Sequence, residues 1–399
     1  MPRILALTAA PESQFDAIFA ALRQRHSVPV LAPGPCRDTA PPETRCYEVP
    51  TVAASRRDRR ARLRFEAVAT AAADAVRAIG PEAIDLVFGQ ASFGCIGLVR
   101  AIWAGPLVAH VELAGLEYSR CRRDYPLDEE GEATDRVVRG QVYAILRQAN
   151  AVITPTNYSA SLLPADIRLR ATPVMEGFAV REPMPDRVRA HLLTSFGLVP
   201  GRPVVGFFAR SLEAIRGFDR FVQAAACLAT QDRDLQFLAV GAEVTLYGNE
   251  SPFLPAGVSF AAAALEAAGL PAERIVFTGF LERGAMHALL DASDVAVFPL
   301  YEGAGTWGLF EALAGGAAVV ASDRCFVPEV IEHGRNGLLA DPDSPAALAD
   351  AVGRLVADTE LRWQIGCAAR STVAARYSVQ GAAAGYERVF RQVMRTGAA

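Results

Sequence analysis

The sequence contains no lysine; all 40 of its basic residues are arginine. That absence removes a lysine nucleophile, a pyridoxal-phosphate Schiff base and a P-loop lysine. Any phosphate must then be held by arginine forks, backbone amides or helix ends. Long apolar runs are missing too. None approaches the roughly 20 residues that cross a bilayer, and the opening MPRILALTAAPESQF lacks a signal-peptide cleavage pattern and reads as a first strand. A soluble cytoplasmic protein without a transmembrane segment is expected. The seven cysteines (Cys36, Cys46, Cys95, Cys121, Cys227, Cys325 and Cys367) form no CxxC pair and have no matching histidine spacing. This argues for buried or incidental thiols over zinc or disulfides. A formal net charge of −4 makes nucleic acid an unexpected partner.

What is present is apolar and rhythmically patterned. Hydrophobic residues make 51% of 399, and the mean hydropathy is +0.19. The chain is too long for one ordinary core, so two domains are the default. Short apolar runs alternate with helical patterns in both halves, as in a parallel α/β sheet. In the first half the strands read at 4–7, 28–31, 84–88, 107–113 and 151–154, with 33–50 as loop. In the second they read at 204–208, 235–240, 275–277, 295–298 and 317–321. Glycines and prolines between 177 and 202 mark the boundary. Two doubly wound domains facing across a cleft follow: 1–180 and 200–378. The last segment, 379–399, carries an amphipathic helix with Tyr386, Val389, Phe390 and Val393 on one face. The basic run at 56–64 reads as a solvated helix face or as a docking patch for an acidic acceptor or a membrane surface.

Several clusters carry chemistry. The stretch 298–322 reads strand, glycine loop, helix, strand, with Gly303, Gly305 and Gly308 bracketed by Glu302 and Glu311. Glycine loops at strand ends let backbone amides approach an anion, and the bracketing acids can hold sugar or ribose hydroxyls. A tight turn with a solvated Glu302 fits the same letters. Arg210 and Arg216 follow the first strand of the second half, where two arginines can grip a diphosphate. His110 and Glu112, two apart on one strand, point to one face near its carboxyl end. His287 and His333 read as surface residues. Asp341-Pro342-Asp343 reads as a turn before a helix N-cap, not as a metal site.

Taken in order, PTNYSASLLP at 155–164, EGFAV at 176–180, ARSLEAIRGFDRF at 209–221, RIVFTGFL at 274–281, ASDVAVFPLYEGAGTWGLFEALAGGAAVVASD at 292–323 and PEVIEHGRNGLLADPDSPAALADAV at 328–352 resemble the retaining GT-B glycosyltransferases of family 4. The resemblance implies a GT-B fold, two Rossmann-like domains with the C-terminal helix returning to the first. It implies Arg210 and Arg216 on the diphosphate, Glu311 on the ribose, and Glu302, Gly303, Gly305, Thr306, Trp307 and Gly308 around the donor sugar. Phe280 and Leu281 fall where the base is contacted, and His110 and Glu112 on the acceptor side. The chain departs from the family by one extra residue between Glu302 and Glu311, and by one between Arg210 and Arg216.

The implied reaction moves a sugar, with retention, from a nucleoside diphosphate sugar, UDP preferred over GDP, to a hydroxyl of a glycan or small metabolite. No cofactor and no metal are expected. Peripheral membrane contact is compatible with the sequence, and the arginine- and alanine-rich composition suggests a GC-rich bacterial source. A nucleotide-sugar epimerase of the same architecture, or a non-catalytic nucleotide-sugar-binding partner subunit, are the alternatives.

Overall fold

A computed structural model describes the chain except residues 12, 36–39, 42, 54–56, 115–122 and 397–399, and the side chains of 57–59. Part of the basic run at 56–64, and Cys36 and Cys121, therefore lie outside the described residues. The chain divides into two compact units, each described by itself. The first comprises 1–115, 127–177 and 379–399; the second comprises 116–126 and 178–378.

The first unit holds a seven-stranded sheet. Its strands are β1 (Ile4–Leu7), β2 (Val30–Pro33), β3 (Thr44–Tyr47), β4 (Leu86–Gln90), β5 (Leu107–His110), β6 (Ala151–Thr154) and β7 (Ala171–Pro173). All pair parallel in the order β3-β2-β1-β4-β5-β6-β7. Strands β1, β4 and β5 are buried along their whole length, which is why they read as continuous apolar runs without alternation. The helix Glu129–Gln148 starts at Asp128, whose carboxylate accepts from Gly131 N–H at 2.9 Å, and it places three acids in its first turn. The helix Val379–Thr396 buries Tyr386, Val389, Phe390 and Val393 with Phe15, Phe19 and Phe88. Phe88 meets the Tyr386 and Phe390 rings at 5.7 and 5.6 Å. The expected return of this helix to the first domain is the observed arrangement.

In the second unit the six strands are β8 (Val204–Ser211), β9 (Gln236–Ala242), β10 (Ile275–Gly279), β11 (Val295–Phe298), β12 (Ala318–Ser322) and β13 (Leu338–Ala340). They pair parallel in the order β10-β9-β8-β11-β12-β13. Both orders follow the Rossmann pattern, in which the chain reverses its direction of travel between β1 and β4, and again between β8 and β11. Ligands of such sheets bind at the carboxyl ends beside that reversal.

Three sequence expectations are corrected. The segment 33–50 is not all loop, because β3 adds to the sheet edge beside β2. The sequence reads as a helix over 139–150, and the structure begins that helix ten residues earlier, at Glu129, on its side-chain cap. Cys46 is disulfide-bonded, whereas Cys95, Cys227, Cys325 and Cys367 are free. No described helix is long and apolar enough to cross a membrane.

Candidate functional site

In the second unit the reversal between β8 and β11 is closed by a tight backbone approach. Gly217 starts the helix Phe218–Gln231 with φ +73°, and a Cβ there would lie 1.9 Å from the Pro299 carbonyl just past β11. Only glycine accepts both the left-handed backbone and the contact. The preceding residue, Arg216, is carried to the neighbouring loop. Its Nη1 donates to the Thr306 hydroxyl at 3.3 Å. Thr306 is the N-cap of the helix Trp307–Gly315, yet its side chain caps no amide there, and no acid occupies the first turn. That end therefore offers a positive dipole with a guanidinium beside it. Arg210 stands one residue before the end of β8, exposed, with no ion pair or side-chain hydrogen bond among the described residues.

The loop beside Arg216 is held by an acid that reaches far along the chain. Buried Glu213 accepts from the backbone amides of Leu246, Tyr247 and Gly248 at 3.0, 2.9 and 3.1 Å. Its other oxygen accepts from the Ser211 hydroxyl. The result sets the Tyr247 ring 5.3 Å from the Arg216 guanidinium carbon, a cation–π contact. Cys325, in a left-handed backbone at φ +49°, sits where Glu302 and Arg216 both act on it. Burial pushes its thiol up to about 12, with Glu302 adding to that and Arg216 opposing it.

Glu311 lies one helical turn into Trp307–Gly315, buried at 4% exposure. Arg283 Nε donates to its Oε1 at 2.7 Å, and His287 Nε2 lies 3.0 Å from the same oxygen without the alignment of a full hydrogen bond. Burial, the largest effect, disfavours the charge; His287 and Arg283 together outweigh it and hold the carboxyl below its ordinary range. Arg283 also stacks 4.6 Å over the Trp307 ring, whose buried Nε1–H has no acceptor among the described residues. Glu302 and Gly303 are buried, Gly305 and Gly308 half-buried. A Cβ on Gly308 would come no closer than 3.4 Å to any neighbour, so packing alone does not require glycine there. Phe280 is 59% exposed just past β10, with Leu281 half-buried beside it.

The first unit has its own polar cluster, at the carboxyl ends of β1, β5 and β7. Gln14 Nε2 donates to Glu112 Oε1 at 2.9 Å and to Glu176 Oε1 at 2.8 Å. His110 Nε2 lies 3.2 Å from Glu176 Oε1, and its ring stands edge-on to Phe15 at 4.8 Å. The sequence-stated pair His110 and Glu112 thus meets, through residues named for neither role, Gln14 and Glu176.

Expectation and structure differ most around Glu311. His287 is not a simple surface residue, and Arg283, one turn before it on the same helix, was not singled out at all. The i,i+4 spacing of two cationic side chains was the available signal. Glu213, Tyr247 and Cys325 carried no local signal, since each acts through a partner distant in sequence. Asp341 and Asp343 accept from Arg324 Nη2 at 2.7 and 2.9 Å, and Ser344 caps the helix that follows.

Two Rossmann-type sheets, each with polar groups at the carboxyl ends of its strands, define the chain as an α/β protein of GT-B type. Solved structures agree. A sucrose-phosphate synthase from Thermosynechococcus elongatus superposes with a TM-score of 0.78 at 18% identity, covering 99% of this chain and 100% of that one. Anabaena HepE, solved in complex with UDP and glucose, gives 0.73 at 18% identity, covering 98% and 100%. The family model for glycosyl transferases group 1 matches residues 202–358, and that for the glycosyl transferase family 4 group matches 43–182. The 2-deoxystreptamine glucosyltransferase of Streptomyces kanamyceticus is 32% identical over 73% of this chain and 76% of its own length. The alpha-D-kanosaminyltransferase of the same organism is 27% identical over 74% and 73%. The 2-deoxystreptamine N-acetyl-D-glucosaminyltransferase of Streptomyces fradiae is 31% identical over 70% and 66%. The chain belongs to the family 4, group 1 glycosyltransferases and is an enzyme of that class.

Proposed function

We propose that the enzyme transfers a hexose or hexosamine from a nucleoside diphosphate sugar, UDP in preference to GDP, to a hydroxyl of a small amino-polyol acceptor, with retention at the anomeric carbon. The observation that carries the donor half is Arg216 hydrogen-bonded to Thr306 at an uncapped helix start. Arg216, Arg210 and the helix amides would stabilise the charge growing on the departing diphosphate. Glu311, held ionised by Arg283 and His287, would accept from the ribose hydroxyls. The buried Trp307 Nε1–H is a spare donor for a sugar hydroxyl. The acceptor hydroxyl would attack from the face that the diphosphate leaves, passing its proton to a phosphate oxygen. No carboxylate nucleophile is required, and neither metal nor cofactor enters the reading. The acceptor class rests on the three streptomycete relatives, two of which are named for 2-deoxystreptamine.

The test is transfer from UDP-glucose, UDP-N-acetylglucosamine and GDP-mannose to 2-deoxystreptamine, followed by NMR. The expected product keeps the donor's α configuration and forms with a UDP-sugar. Arg210→Ala should lower kcat/KM by about a hundredfold or more, with an unchanged melting temperature because the side chain is exposed. Turnover untouched by this substitution would sink the donor assignment. An epimerase would instead convert the nucleotide sugar with no acceptor present.

A further inference from the structure

Among the described residues, the polar cluster of the first unit sets two carboxylates, Glu112 and Glu176, beside no permanent cation; His110 Nε2, 3.2 Å from Glu176 Oε1, is the only ionisable partner that could carry positive charge. Glu112 and Glu176 share one neutral donor, the Gln14 amide. Two other buried acids in this arginine-rich chain meet guanidinium groups, whereas buried Glu213 is satisfied by backbone amides and the Ser211 hydroxyl. Glu387 contacts Arg25, His26 and Arg391, and Glu311 contacts Arg283. No arginine pairs with Glu112 or Glu176 among the described residues. Placing two carboxylates together without a cation is costly unless a ligand supplies one.

A second observation points the same way. The Tyr386 hydroxyl, on a residue with no exposed surface, has no hydrogen-bond partner among the described residues. It lies close enough to Glu176 and Glu112 for both to disfavour its ionisation, after burial itself does. His110 Nε2, on a residue 1% exposed, is likewise without an aligned partner. Glu176 is buried at 1%, while Glu112 is only half-buried and is the more exposed of the two acids.

We infer that this cluster is a cation subsite that takes the ammonium group of the acceptor. An alkylammonium carries three donors and no acceptor. Glu112, Glu176 and the Tyr386 oxygen supply three acceptors, with Glu112 the outermost. A hydroxyl in the same place neutralises neither acid, so an uncharged polyol is discriminated against by a site built for charge. The inference deepens the reading above and rests on its small-polyol acceptor.

Calorimetry on the full chain tests it without any donor, with 2-deoxystreptamine against the all-hydroxyl cyclitol myo-inositol. The wild type should bind the diamine at least about tenfold more tightly, the effect of a charge-assisted hydrogen bond. Glu112→Gln and Glu176→Gln should each abolish that preference. If Glu176→Gln does not fold, Glu112→Gln decides alone, its side chain being half-exposed. Equal affinity of the wild type for the two cyclitols overturns the inference, and so does a preference retained by Glu112→Gln. Selective diamine binding with no turnover of any nucleotide sugar supports the subsite and removes the transferase reading. Transfer to myo-inositol as readily as to the diamine does the reverse.

Discussion

Glu311 shows how one buried side chain keeps a charge that burial disfavours. It sits where water cannot solvate it, and it stays ionised because Arg283 and His287 share one of its oxygens. Its folded pKa is below the unfolded value, so it contributes stability above about pH 4.3, the ordinary glutamate value. That contribution is lost as the pH falls through the folded pKa. Glu311→Gln should therefore flatten the acid side of the melting-temperature profile, and raise the donor KM at neutral pH. An acid limb as steep as that of the wild type would show that the carboxylate is not held in this way. Residues of this kind divide cleanly by legibility. Arg216 and Glu311 could be read because a linear motif carries them. Glu213 and Tyr247 could not, because their meaning appears only when Glu213 reaches three amides more than thirty residues away.

At the scale of elements, the strand–loop–helix–strand unit from β11 to β12 was fully legible: apolar runs, glycines and the pair Gly315-Gly316 mark each joint. The short strands β3 and β7 were not, since neither has a fully buried residue and so neither forms an apolar run. Gly217 and Gly308, on either side of the β8–β11 reversal, should respond differently to one methyl group. Gly217→Ala forces a left-handed alanine against the Pro299 carbonyl and should cost more than about 2 kcal/mol, read by urea unfolding. Gly308→Ala meets no neighbour inside ordinary contact distance, so stability should hold. If its backbone lies against the donor, the donor KM should nevertheless rise about tenfold or more. Unchanged KM in Gly308→Ala would remove that backbone from the donor site, while the Gly217 result would still stand as a statement about the fold.

Considered as a whole molecule, the chain leaves its first unit, builds the second, and returns. Residues 379–399 belong to the first unit although the second precedes them directly in sequence. The reason is visible in composition: Tyr386, Val389, Phe390 and Val393 form a stripe that is buried only with Phe15, Phe19 and Phe88. Removing 379–399 would expose several aromatic rings at once, each representing roughly 2 kcal/mol or more of lost burial. Such a loss is a large fraction of the stability of an ordinary domain. The second unit depends on none of those residues. Its core is drawn from β8–β13 and their helices, with Tyr125 packed on Phe253 and Phe260. A chain ending at Ser378 should therefore melt in two steps, the first well below the single or main transition of the full chain. UDP should shift only the second step, through binding to the unit that remains folded. A truncated chain that melts in one step, with UDP raising it throughout, would mean that the two units share their stability and that the helix is not the first unit's own closing element.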